Sequence, residues 1–85
     1  MDDRRKRLLY RATHRGTKES DLIIGGFFTR MTADLSDAQV DEAEVLLEEN
    51  DIDLVNWVTG REAVPERWRM GLLADVMAHY RGLIS

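Results

Sequence analysis

The sequence predicts an all-α fold, a five-helix bundle forming a single small helical domain over residues 1–85 with a basic N-terminal end. Three observations carry this. Apolar residues recur at three- and four-residue spacing along most of the chain, as they do on one face of a helix. No segment sustains the period-2 alternation of a half-buried strand. The lone proline, Pro65, stands where a helix would begin rather than inside one.

Residues 3–13 read as the first helix. Asp2 and Asp3 favour its positive end, and Leu8 and Ala12 share a face at i, i+4. Gly16 ends this helix or closely follows it. Residues 18–32 read as the second, with Glu19 and Asp21 in the first turn. Leu22, Ile23, Phe27 and Met31 form its apolar stripe, widened by Ile24 and Phe28. Gly25-Gly26 costs about 1 kcal/mol per glycine relative to alanine. That cost points to a close helix crossing or to a bend. The third helix has the clearest start, because Ser36 and Gln39 make a capping box with Leu35 and Val40 as its hydrophobic staple. Val40, Ala43, Leu46 and Leu47 face a core, while Asp41, Glu42, Glu44, Glu48 and Glu49 face water. A short fourth helix runs from about Ile52 to Thr59, capped by Asp51 or Asp53 and stopped by Gly60. The last begins near Pro65, with Trp68, Leu72, Val76 and Leu83 as its stripe and Leu73, Met77, Tyr80 and Ile84 beside it.

A domain of this length buries only about 60% of the surface its unfolded chain exposes, which leaves no room for an enclosed active site. Function is expected on the surface. The absence of cysteine excludes disulfides, Cys-based zinc sites and thiol catalysis. No apolar run approaches the about 18 residues of a membrane span, so no membrane insertion is expected. The basic start is followed by only two leucines, too few for a signal-peptide core. A bacterial, cytoplasmic protein is the resulting expectation. The net charge of −4 hides an asymmetry. Residues 1–19 carry seven Lys/Arg and three Asp/Glu, whereas residues 34–66 carry one Arg and eleven Asp/Glu. Such blocks either attract each other across the fold or make a bipolar surface that orients a partner.

Catalytic chemistry is poorly served. Asp51, Asp53 and Glu62 superficially fit a calcium loop, but Val55 takes a ligand position and Asn56 replaces the turn glycine. No metal site is expected, since His14 and His79 are the only histidines. His14 and Glu19 could be drawn as an acid–base pair, yet no nucleophile or phosphate-loop signature accompanies them. The cations Arg4, Arg5, Lys6, Arg7, Arg11, Arg15 and Lys18 could contact phosphates, but the acidic remainder repels a polyanion. Trp57 and Trp68 fit a core, or interface anchors if they are partly exposed.

The run Arg15-Gly16-Thr17-Lys18-Glu19 is different. It places a guanidinium, a backbone hinge and a carboxylate at a helix joint that needs only the glycine, leaving Arg15 and Glu19 to grip a partner. It leads through Ser20-Asp21-Leu22 to Phe27-Phe28, then to Leu46-Leu47-Glu48 and Asp51-Ile52-Asp53-Leu54-Val55-Asn56-Trp57. This order and spacing resemble the flavinator family, comprising bacterial SdhE and the mitochondrial succinate dehydrogenase assembly factor. The R-G-x-x-E signature and the acidic D-x-x-W segment carry the likeness, which covers roughly residues 4–82. Ser20, where relatives often carry leucine, and Gly25-Gly26 depart from the pattern.

The resemblance implies a monomeric, non-enzymatic assembly chaperone. It would bind the flavoprotein subunit of succinate dehydrogenase, with that of fumarate reductase as a related client, and promote covalent attachment of FAD to a histidine there. It would hold no cofactor stably itself. Arg15, Gly16, Glu19 and Asp21 are the implied partner-binding residues, with Arg11, His14, Lys18, Asp53 and Trp57 as secondary candidates. The alternative is a small helical adaptor or regulator, binding nucleic acid through the basic N-terminal third.

Overall fold

The computed structural model describes residues 1–84; Ser85, the last residue of the expected domain, lies outside them. Five α-helices appear in the expected order: α1 Asp3–Thr13, α2 Lys18–Met31, α3 Asp37–Leu46, α4 Asp51–Thr59 and α5 Leu72–Ile84. Short 3-10 turns at Thr32–Asp34 and Glu66–Trp68 supplement them, and no strand occurs among the described residues.

The first four starts are each set by a local polar device. Asp2 accepts from the Arg5 amide at 2.8 Å, and Thr17 accepts from the Ser20 amide at 3.1 Å. Ser36 and Gln39 form the reciprocal capping box, with 3.1 Å and 2.9 Å bonds. Each satisfies an amide that has no partner inside its helix. The fourth helix is capped by Asn50, whose Oδ1 accepts from the Ile52 amide at 2.8 Å, and not by Asp51 or Asp53. Gly60 ends it in a left-handed conformation, φ 81°.

The last helix corrects the sequence expectation most. Pro65 opens only the 3-10 turn, where the Trp68 amide returns to its carbonyl at 2.9 Å. The α-helix starts seven residues later because a distant side chain supplies its cap: Glu42, on α3, accepts from the Leu72 amide at 2.6 Å. A Cβ at Gly71 would overlap that carboxylate, so the glycine makes the approach possible.

The core lies where α2 meets α1, α4 and α5, with α3 packed on α1 and α5. Phe28, Leu8, Ile24, Leu46, Leu54, Leu72 and Leu73 are its largest fully buried side chains. Phe27 and Phe28 meet edge to face at 5.1 Å. Leu22 is not part of the stripe. It lies on the opposite side of α2 from Ile24 and is exposed, while Ser20 takes the inward position. Leu83 and Ile84 are exposed as well, since the last turn of α5 runs beyond the buried positions Leu72, Leu73 and Val76.

The double glycine resolves into two different residues. Gly25 marks a close crossing: a Cβ there would stand 3.1 Å from the Ala12 carbonyl oxygen and 3.3 Å from the Thr13 Cα. Gly26 meets only the His79 ring, at 3.8 Å. The charge asymmetry resolves too. Arg4 pairs with Asp41 and, at 2.7 Å, with Glu44. Arg5 reaches the Leu35 carbonyl at 2.6 Å and Asp37 at 3.3 Å. The basic block on α1 therefore faces the acidic block on α3. Arg4 holds the Glu44 carboxyl below the usual carboxylate range.

Candidate docking site at the first helix joint

The joint between α1 and α2 is four residues long, His14 to Thr17. The chain turns there because Gly16 adopts φ 107°, a conformation unfavourable to any residue with a Cβ. The Arg15 amide donates to Asp21 Oδ1 at 2.8 Å, tying the joint to the first turn of α2.

The Arg15 side chain turns inward. Its Nε donates to Asp51 Oδ1 at 2.5 Å, Nη1 to the Leu47 carbonyl at 2.6 Å and Nη2 to the Glu49 carbonyl at 2.9 Å. The Ser20 hydroxyl donates to the same Asp51 oxygen at 2.8 Å. Arg15 is only 10% exposed and Asp51 only 21%. The guanidinium thus closes the carbonyl end of α3 and the start of α4 at once. The expectation that Arg15 is free to grip a partner does not hold, because its charge is spent inside the chain. Charge-assisted bonds of this kind are strong, and removing one partner strands the other.

Glu19 faces the other way. About half of its side chain is exposed, and its one partner among the described residues is Arg61, Nη1 to Oε1 at 3.4 Å. Between them lies an open groove of about 360 Å³, lined by Thr17, Glu19, Asp51, Ile52, Val55, Asn56 and Arg61. Ile52 is 70% exposed on its rim. The groove can accept a polar group at its carboxylate and an apolar one along Ile52 and Val55.

The remaining candidates scatter. His14 stacks on Tyr10 at 3.9 Å, and its Nδ1 lies 2.9 Å from the Tyr10 carbonyl, so its contacts are local and do not include Glu19. Arg11 reaches the Glu44 carbonyl at 3.4 Å. Lys18 is exposed beside Glu19, Asp53 is half-buried in the first turn of α4, and Trp57 is buried in the core. Trp68 is buried too, its indole donating to Glu49 Oε2 at 2.7 Å, where Arg67 also donates at 2.6 Å. Together they hold the Glu49 carboxyl below the usual range, the Trp68 bond contributing most. Asp51, Ile52 and Arg61 escaped sequence reasoning as members of the site. The Thr17-x-x-Ser20 spacing was the signal for the cap, but nothing local signals contacts spanning 30 to 40 residues.

Fold and groove together define a small all-helical protein whose available chemistry lies on its surface, around the Gly16–Glu19 joint. The chain belongs to the family described as flavinator of succinate dehydrogenase, whose model matches residues 6–81. It is 36% identical over 75 residues to a mitochondrial succinate dehydrogenase assembly factor 2 of Dictyostelium discoideum, covering 88% of this chain and 53% of that protein. It is 41% identical over 63 residues to the FAD assembly factor SdhE of Acetobacter pasteurianus, covering 74% and 58%. With the mitochondrial assembly factor 2 of Mycosarcoma maydis it shares 42% over 62 residues, 73% of this chain and 26% of that one. The matched part is thus between about a quarter and three-fifths of these relatives. The mitochondrial relatives overturn the expectation of a bacterial, cytoplasmic protein, the family being represented on both sides. No helix among the described residues is long and apolar enough to cross a membrane.

Proposed function

We propose that this protein is an assembly chaperone that docks on the flavoprotein subunit of succinate dehydrogenase and promotes covalent attachment of FAD to it. The related fumarate reductase flavoprotein is a client of the same kind. The observation that carries this reading is the outward-facing Glu19 groove, at the family's signature joint, in a chain whose relatives are named as assembly factors of this enzyme. The protein contributes orientation, not chemistry. It holds the client so that the histidine and the flavin meet, which can supply a large share of a barrier without a catalytic group. It acts as a monomer and retains no FAD of its own.

Within the site the roles divide. Glu19 and the apolar rim contact the client. Arg15, Asp21, Ser20 and Asp51 fix the joint from behind, and Gly16 supplies the turn. The nucleic-acid alternative loses support, because four of its seven cations, Arg4, Arg5, Arg11 and Arg15, bond to the chain itself. The test is in-gel flavin fluorescence of the client in cells carrying wild-type protein or Glu19→Ala, with the level of folded variant checked. Reduced covalent flavin at unchanged abundance supports the reading. Undiminished fluorescence with Glu19→Ala removes the groove from it.

A further inference from the structure

The acids at the joint are not equivalent. Asp21 receives the Arg15 amide and Asp51 receives the Arg15 side chain and Ser20, so both are committed inward. Among the described residues Glu19 is committed only to Arg61, at 3.4 Å, with 52% of its own side chain and 60% of that of Arg61 exposed. Arg15 bonds at 2.5–2.9 Å in the same region. Among the described residues Arg61 is otherwise anchored only through its backbone, where its amide donates to the Asn56 carbonyl at 2.9 Å just after the Gly60 turn. An exposed pair of this kind contributes little and is given up cheaply.

We propose that Glu19 receives a cationic side chain, arginine or lysine, from the docking partner, and that Arg61 occupies its place while the protein is alone. This rests on the joint being the docking site. The groove suits such a group: the carboxylate takes the charged head, and Ile52 and Val55 flank the aliphatic stem. Arg61 shows that a guanidinium reaches this carboxylate. An anionic partner group would instead meet the Glu19 carboxylate. Arg61 is therefore a competitor, a residue that sets how tightly the partner must bid for Glu19.

The experiment is calorimetric titration of the purified succinate dehydrogenase flavoprotein subunit with wild-type protein, Arg61→Ala, Glu19→Gln and the double variant, at low salt. Thermal melts confirm that these exposed substitutions leave the fold intact. Arg61→Ala is expected to tighten binding about two- to fivefold. Glu19→Gln weakens it, and in the Glu19→Gln background the Arg61→Ala gain disappears, because the two act through one contact. Binding unchanged or weakened by Arg61→Ala overturns the proposal, as does a gain that persists without the Glu19 charge. Absence of wild-type binding overturns the docking reading itself, before any variant is compared, and this inference falls with it.

Discussion

Within the signature run, neighbouring residues have opposite duties. Arg15 and Glu19 were expected to act together on a partner, yet one is tied into the interior and the other faces solvent. Their substitutions should therefore fail differently. Arg15→Ala strands Asp51, whose second oxygen is already buried without a partner, and should cost about 3 kcal/mol in urea denaturation. Glu19→Ala should leave stability within about 0.5 kcal/mol, since it gives up only an exposed pair. Similar losses for both would show that the division of labour is wrong. Gly16 belongs with Arg15. The space around it is open, but φ 107° makes any side chain there strained by about 1–3 kcal/mol. A bulky residue at Gly16 mixes strain with lost contact, so Glu19 is the cleaner probe. The joint itself was legible from Arg15 to Glu19. The direction of the arginine was not, because a guanidinium that closes two helix ends and one that waits for a partner have the same local sequence.

At the scale of the elements, the capping box, the Gly60 stop, the bounds of α1 and, to within one residue, those of α2 and α4 could be seen in advance, since caps and stop residues lie within one turn of the ends they mark. Apart from the Asn50 cap of α4, what failed were choices made across the fold. Helix α5 starts at Leu72 because Glu42 lies there, and Leu22 faces water because Ser20 and Ile24 define the inner side of α2. The double glycine yields a paired prediction. Gly25→Ala should destabilise by about 1 kcal/mol or more, since crowding the Ala12 carbonyl outweighs the gain in helix propensity. Gly26→Ala should be neutral or stabilise by up to about 1 kcal/mol, its Cβ making only ordinary contact with His79. Thermal melts of both variants test it, and equal shifts would refute the close crossing. Leu46, 2% exposed, should cost about 2–5 kcal/mol as Leu46→Ala.

For the molecule as a whole, part of the opposed blocks of charge holds α1 against α3, Arg4 and Arg5 pairing with Asp41, Glu44 and Asp37. The sequence showed the blocks but not their pairing, which depends on how the helices are placed. One consequence is acid sensitivity. Glu49 ties the start of α4 to the Trp68 turn, and its carboxyl is held below the usual range. A depressed carboxyl stabilises the fold at neutral pH, and that contribution is lost as pH falls from the ordinary carboxylate range through the folded value. Tryptophan fluorescence followed from pH 7 downward should hold through the ordinary carboxylate range and change only below it, as Trp68 loses its acceptor. Glu49→Gln should move that change, and an identical acid profile in the variant would exclude Glu49 as its origin.

The carboxylate of Glu42, seated over the first turn of α5, carries a different consequence. The amide that opens α5 is held by a side chain thirty positions upstream, so the start of this helix is set by the fold and not encoded locally. With Glu42→Ala the amides around Leu72 should exchange earlier than in the parent protein, while the core positions Leu73 and Val76 stay protected.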